Sequence, residues 1–225
     1  NEQNTNANTT GSNTTTTIDT TTSQVIKSST MVTTPQSMMI ARHRVKDFNK
    51  WKASYDAHDS LRLANGMHSY VIGRGESDTN MVLVAVRVDD TAKARKFAKD
   101  PSLKQAMQQG GVTGTPTFNF VTLMSQDTGS INTSIRSMVM LDIKAWTPWR
   151  TSFESGKQNR MQNGLADRAY GHAWDDTTKA IVVLAVTDSA KARTYWRSDQ
   201  LKQRRAQGGV IGEPERFVFR VVQRL

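Results

Sequence analysis

The chain has 225 residues, enough for one large domain or two small ones, and a net charge of +10. It contains no cysteine, which excludes disulfides, a thiolate nucleophile and a zinc-thiolate site. No run of about 18 apolar residues occurs, so the sequence predicts no membrane-spanning helix.

The first 36 residues are polar and rich in threonine, and we interpret them as an extended N-terminal arm. Only Glu2, Asp19 and Lys27 are charged there, so the positive charge lies in the rest of the chain. The arm is too polar to fold alone, but its β-branched and apolar residues favour pairing with a sheet edge. These assembly residues are Ile18, Val25, Ile26, Met31 and Val32. Because the chain begins with Asn1 and not Met, we expect a removed signal peptide and a secreted or cell-surface protein.

The remainder consists of two copies of one unit. When Trp51 is aligned with Trp149, the register holds without a gap to Leu123 over Val221, and about one third of the pairs are identical. The closest matches are 92–95 with 190–193, 103–105 with 201–203, and 109–112 with 207–210. We therefore expect four parts: the arm (1–36), a first repeat (37–124), a linker (125–136) and a second repeat (137–225).

Each repeat begins with a predicted strand and a helix. Residues 38–45 alternate as a strand does, and residues 47–65 show the spacing of an amphipathic helix. Gly66 follows as the stop signal of that helix. Trp51 lies on the apolar face, so core packing is expected for it and for Trp149.

Two strands and a second helix follow. Residues 67–75 and 81–88 are predicted strands joined by a turn-rich loop. Asp90, matched by Asp188, supplies an N-cap for the next helix, and a last strand follows Pro116 or Pro214. The paired glycines at 110–111 and 208–209 follow a helix, so they are predicted C-caps and not phosphate loops.

The order β-α-β-β-α-β is the ferredoxin-like pattern of the α+β class. Helices cover only one face of such a sheet, and the other face needs a partner. Two repeats in one chain meet that need by placing sheet against sheet. We therefore predict one pseudo-twofold α/β barrel behind the N-terminal arm.

Several short patterns resemble the dimeric α/β-barrel superfamily, close to its cyclase-like and antibiotic-biosynthesis-monooxygenase-like bacterial members. They are Trp51, Arg62-x-x-Asn65-Gly66, Ala92-Lys93-Ala94, Leu103-Lys104 and Gly111-Val112-x-Gly114-x-Pro116. The resemblance implies the fold far more than a function, because members include cofactor-free monooxygenases, haem-degrading enzymes and isomerases. No catalytic motif of the superfamily matches this chain residue by residue.

Strand alternation predicts which side chains line the space between the sheets. Ala41, His43 and Val45 are expected under the helices. The side chains expected inside are Arg42, Arg44, His68, Tyr70, Arg74, Arg168, Tyr170 and His172. Guanidinium groups match small anionic ligands, and His68 or His172 offers an acid or base. Alternatively, these side chains pair across the interface and leave no cavity.

Other site types are not supported by the sequence. His43 and His58 have no metal-ligand partners at suitable spacing, so we expect no metal site and no cofactor. The basic residues are spread over both repeats without an RNA-binding aromatic motif, so nucleic acid is not an expected partner.

Two functions remain open from sequence. The favoured one is an exported, non-enzymatic assembly protein whose arm adds a strand to a neighbouring molecule, giving a filament or oligomer by self-association. The alternative is a small-molecule binding protein, or a cofactor-free monooxygenase-like or isomerase-like enzyme, that uses the space between the sheets.

Overall fold

Each half of the chain folds in the predicted order of strands and helices. The computed structural model describes residues 30–225. After a short strand, β1 (Met31–Val32), the first repeat contains β2 (Gln36–Val45), α1 (Phe48–Ala57), α2 (Asp59–Ala64), β3 (Met67–Gly75), β4 (Met81–Val88), α3 (Thr91–Phe97), α4 (Pro101–Gln109) and β5 (Val112–Asp127).

The second repeat reproduces that order. It contains β6 (Ile135–Ile143), α5 (Trp146–Ser155), α6 (Lys157–Gln162), β7 (Leu165–Ala173), β8 (Lys179–Val186), α7 (Ser189–Trp196), α8 (Asp199–Gln207) and β9 (Val210–Arg224). Both ends of the segment 125–136 lie in strands, so residues 128–134 connect β5 to β6.

Polar side chains begin the helices as their sequence predicts. Asp90 accepts a hydrogen bond from the backbone N–H of Lys93, and Asp188 accepts the equivalent one from Lys191, each at 3.0 Å. The single helix predicted for 47–65 is divided into α1 and α2 at His58. Gly66 then turns the chain at a φ of +66°, in the left-handed region that glycine tolerates best.

The eight long strands form a closed, antiparallel barrel. Their order is β5-β2-β4-β3-β9-β6-β8-β7, and β7 returns to pair with β5. Within each repeat the order is that of the ferredoxin-like unit, and the repeats join through β3–β9 and β5–β7. The predicted pseudo-twofold barrel of two β-α-β-β-α-β repeats is confirmed.

The described end of the arm lies on the barrel of its own chain. Met31 and Val32 pair antiparallel with Asp127 and Gln126 of β5, beyond the point where β2 pairs with the same edge. The arm residues Ile18, Val25 and Ile26 lie outside the described residues. Self-association through the arm stays a prediction.

Three apolar clusters hold the molecule together. One lies between the helices and the sheet of each repeat, and a third fills the barrel. Trp51 and Trp149 are buried in the two helix-side clusters, as their helical spacing predicts. Burial of the inner sheet face by the other repeat explains why the duplication forms one barrel.

Candidate functional site

The residues predicted to line the space between the sheets do not form one site. Arg42 points into one end of the barrel, where it pairs with Glu215. Arg44 pairs with Asp78 and is half exposed. His68 is exposed and its Nε2 lies 2.8 Å from a carboxylate oxygen of Asp89.

Bulges in β3 and β7 separate the remaining predicted residues. The register shifts between Ser69 and Val71 and, equivalently, between Asp167 and Ala169. An extra residue in a strand resets the alternation of faces beyond it. Tyr70 and Arg168, at the bulges, line the barrel interior, whereas the three residues beyond them do not: Arg74, Tyr170 and His172.

The three displaced residues lie on the helix side, and their predicted inward orientation is wrong. The Arg74 guanidinium lies 4.3 Å from the ring centre of Phe48. The Tyr170 hydroxyl donates to Glu154 of α5, and burial raises the pKa of this phenol. His172 contacts the edge of Trp146, with the ring centres 4.7 Å apart.

The middle of the barrel is apolar, which corrects the expectation of an aromatic and basic lining. Met38, Ile40, Leu83, Val121 and Ile181 are among the buried side chains that fill it. The remaining cavity is about 80 Å³, well below the roughly 300 Å³ that a drug-sized ligand needs. The interior therefore contains no large binding pocket.

A better candidate site lies between the sheet and the helices of the first repeat. Here a pocket of about 70 Å³ is bounded by β2, β4, α1, α2 and α4. Aliphatic side chains and the aromatic rings of Trp51, Tyr55, Phe97 and Phe118 supply most of its wall. Its polar lining residues are His43, Ser54, His58 and Arg62, together with the hydroxyl-bearing Tyr55.

His43 is the most unusual residue of this pocket. Its side chain comes from β2 and faces α1, where its ring centre lies 5.5 Å from that of Trp51. The residue is 4% exposed. Among residues 30–225, neither ring nitrogen has a hydrogen-bond partner. Burial lowers the pKa of His43 to about 4, so the imidazole is neutral at physiological pH.

Arg62 brings a positive charge to the same pocket. Its guanidinium lies 3.6 Å from the ring centre of Tyr55 and donates to that residue's backbone carbonyl at 2.7 Å and to Asp59 at 3.0 Å. Its buried Nε finds no acceptor in the described part of the chain. The Tyr55 hydroxyl lies 2.5 Å from Ser69 Oγ, and burial raises the pKa of that phenol. An unused donor thus accompanies the unpartnered imidazole.

The second repeat has an equivalent pocket with different chemistry. Leu141 replaces His43 at the aligned position, and Arg160 replaces Arg62. Arg160 is fully paired, since Nε and Nη2 each donate to a carboxylate oxygen of Asp167 at 2.6 Å. The aligned residue of the first repeat is Ser69, which has no charge. The pocket, about 100 Å³, therefore lacks both unpartnered groups.

Part of this site was visible in the sequence. The helix-covered face of β2 was predicted correctly, and His43 was placed on it. Spacing alone tests His43 only as a metal ligand. The informative signal is a histidine in one repeat where the other has leucine, on a face expected to be apolar.

Comparisons with solved structures support the fold. An anthrone oxidase-like protein superposes with a TM-score of 0.60 at 11% identity, covering 86% of this chain and 94% of its own. A candidate monooxygenase from Fusobacterium nucleatum gives 0.54 at 11% identity, with coverage of 84% and 93%. One from Lactobacillus acidophilus gives 0.53 at 9% identity, with coverage of 84% and 94%.

This chain has the dimeric α/β-barrel fold. The two halves of the barrel, which come from two subunits in a dimer, are here the two repeats of one chain, as the strand order shows. No protein-family model matches the sequence, and no curated protein matches it.

The comparisons correct the favoured functional prediction. Proteins of similar structure are described as candidate monooxygenases or as anthrone oxidase-like, which contradicts the prediction of an exported, non-enzymatic assembly protein. Secretion stays a prediction from the N-terminal sequence.

Residues 30–225 contain no group of three or more acidic or histidine side chains placed to hold a metal ion. Within the same range no helix has the length and apolar content to cross a bilayer.

Proposed function

We propose that the chain binds a small, mainly apolar molecule in the first-repeat pocket, with His43 as its hydrogen-bond partner. The observation that carries the proposal is the buried, neutral imidazole without a partner. A buried polar group without a hydrogen bond costs about 1 to 3 kcal/mol. A ligand that supplies the missing hydrogen bond would recover part of that cost.

The pocket chemistry favours a phenol-like or enol-like hydroxyl on a planar ring. A neutral imidazole has one acceptor nitrogen, which suits a hydroxyl donor. The unused Nε–H of Arg62 suits the same group as an acceptor. The rings of Trp51 and Tyr55 offer apolar contact to a planar ligand.

Size restricts the ligand. A cavity of about 150 Å³ holds benzene in an engineered protein, and this pocket is about half as large. A ring therefore enters only if a lining side chain moves. The half-buried Met107 of α4 suits that role because an unbranched thioether adopts many conformations.

The test compares phenol with toluene, which has similar shape but no hydroxyl. In the wild type, phenol should raise the melting temperature more than toluene does at equal concentration. In His43→Leu, which copies Leu141 of the second repeat, the two compounds should act alike. Equal effects of phenol on the wild type and the variant would refute the proposal.

A second candidate function is cofactor-free oxygenation of an enolisable aromatic compound. It is supported by the oxidase-like and monooxygenase-like proteins of the same fold. The nitrogen that accepts the hydroxyl hydrogen bond would take the proton, and Arg62 would stabilise the resulting anion. The probe reaction is that of anthrone with O₂ to give anthraquinone and water. Because anthrone has three fused rings and the pocket is about 70 Å³, this reaction requires a wider opening of the pocket wall than phenol binding does. Oxygen uptake above the uncatalysed rate, lost in His43→Leu, is the expected result, and no difference between the proteins would contradict it.

A further inference from the structure

One end of the barrel interior carries buried positive charge. Three arginines line the small interior cavity at this end: Arg136, Arg168 and Arg224. Arg136 and Arg168 are only 5% and 8% exposed, whereas Arg224, at the end of β9, is exposed. We refer to these three residues as the mouth arginines. They lie on the inner face of the sheet, apart from the His43 pocket on the outer face.

Within residues 30–225, only one mouth arginine has a carboxylate partner. Arg168 Nη1 lies 3.5 Å from a carboxylate oxygen of Asp127, and its Nη2 donates to the Gly129 carbonyl at 2.5 Å. Arg136 Nη1 donates to the carbonyls of Thr133 and Ile135 at 2.8 and 3.0 Å. No carboxylate among residues 30–225 is within ion-pair distance of Arg136 or Arg224. A buried charge without a counter-charge is costly.

The electrostatics of Arg136 reflect that cost. Burial, and then the nearby charges of Arg168 and Arg224, lower the pKa of its guanidinium to about 10. The group therefore stays charged at neutral pH in a site where its neighbours repel it. An anion at this position would offset the repulsion and favour the charged guanidinium.

The opposite end of the barrel provides a contrast within the same molecule. Arg42 also points inward there, but Glu215 of the other repeat neutralises it and the ring of Phe217 lies 5.1 Å from its guanidinium. One end thus carries an ion pair between the repeats, in which the glutamate side chain is 60% exposed. At the other end, the buried Arg136 and the exposed Arg224 have no carboxylate within ion-pair distance among residues 30–225.

A buried amide also faces the charged end. Gln126 lines the cavity and is 5% exposed, yet its Oε1 lacks a hydrogen-bond donor in the described chain. An amide can present its NH₂ group instead by rotating through half a turn. Gln126 aligns with Arg224 in the repeat, so pseudo-equivalent positions from both repeats meet at this cavity.

We propose that this end of the barrel binds a small oxyanion of the phosphate or carboxylate class, with Arg136 as its principal ligand. Guanidinium binds such groups through two parallel hydrogen bonds. Arg224 adds charge, and Gln126 adds a neutral donor. The cavity volume, about 80 Å³, admits a single oxyanion or the charged end group of a larger molecule.

Two variants test the proposed anion site, and each replaces an arginine by the residue at the aligned position of the other repeat. Arg136→Met installs the residue found at the aligned position 38, and Arg42→Met installs the residue found at the aligned position 140. Melting temperatures of the full chain are measured in phosphate, acetate and benzoate against chloride at constant ionic strength. Phosphate also stabilises proteins generally by exclusion from their surface, so a saturable shift is the diagnostic.

We expect phosphate, acetate or benzoate to raise the melting temperature of the wild type and Arg42→Met along a saturating curve. In Arg136→Met the saturating part should disappear, and Arg224→Gln should shift the curve to at least several-fold higher concentration. Phosphate alone acting indicates an inorganic anion, and benzoate acting most strongly indicates a larger carboxylate. Equal, non-saturating responses of wild type and Arg136→Met would overturn the proposal.

Discussion

At the scale of single residues, the two repeats place different side chains in the same surroundings. His43 and Leu141 are both buried under a tryptophan of the following helix. The leucine fits those surroundings without cost, whereas the imidazole loses its hydration and gains no hydrogen bond. Retaining His43 in this position therefore lowers stability unless a ligand compensates for it.

The pKa of His43 predicts acid sensitivity. The folded-state pKa is about 4 and the ordinary value is 6.5, so the unfolded chain takes up the proton first as pH falls. Stability should therefore decline between pH 6.5 and about 4, by on the order of 3 kcal/mol at most. His43→Leu should remove this component. Urea unfolding of both proteins across that range measures it.

A variant at an exposed position without a titratable group is the control for the acid prediction. Met161→Ala should lose stability with falling pH in parallel with the wild type, because it removes no titratable side chain. Parallel curves for wild type and His43→Leu would instead show that other groups cause the acid sensitivity.

The buried pair Arg160–Asp167 predicts a large cost for losing the carboxylate. Asp167→Ser copies Ser69 of the first repeat and leaves the buried Arg160 without its counter-charge. We expect a loss of about 3 to 5 kcal/mol in the free energy of unfolding. Asp59→Ser removes the exposed partner of Arg62 and should cost about 1 kcal/mol or less. Urea unfolding measures both variants, and similar losses of unfolding free energy for Asp167→Ser and Asp59→Ser would contradict this prediction.

At the scale of elements, the order of strands and helices was predictable because each strand pattern and each helix pattern occurs twice in the sequence. The caps at Asp90 and Asp188 and the stop at Gly66 were predictable from local chemistry. The bulges in β3 and β7 were not, because a bulge changes which face the following residues occupy without leaving a signal in the local sequence pattern. The inward orientation predicted for Tyr170 and His172 failed for that reason.

Arg136 was missed for a different reason. The stretch 125–136 is polar and contains turn-forming residues, so it was interpreted as a linker. In the structure its last two residues belong to β6, and its first three belong to β5. Pairing with β9 and β7 extends both strands, which only the closed barrel makes possible.

The position of α4 predicts that Met107 limits access to the pocket. Met107→Ala should enlarge the cavity beside His43 and increase the affinity for phenol several-fold, at a modest cost in stability because the side chain is only half buried. The dissociation constant from a phenol titration measures the effect. Met161→Ala, at an exposed position of α6, should leave it unchanged. If neither Met107→Ala nor Met161→Ala changes the affinity for phenol, phenol does not bind beside Met107.

At the scale of the whole molecule, duplication has produced one barrel with unequal halves. Ion pairs such as Arg42–Glu215, Arg95–Asp175 and Arg220–Glu76 cross between the repeats. The first repeat carries the unpartnered imidazole, and the second supplies the mouth arginines. A symmetric fold thus supports two chemically different cavities.

We propose that phenol binds in the pocket of the first repeat and not in the equivalent pocket of the second, and the equivalent tryptophans Trp51 and Trp149 provide an internal comparison. The measurement is an NMR titration of the full chain with phenol that follows the indole N–H signals, assigned with Trp51→Phe and Trp149→Phe. We expect a saturable shift of the Trp51 signal and a constant Trp149 signal. Equal shifts of both signals, a shift of Trp149 alone, or no shift of either would contradict it.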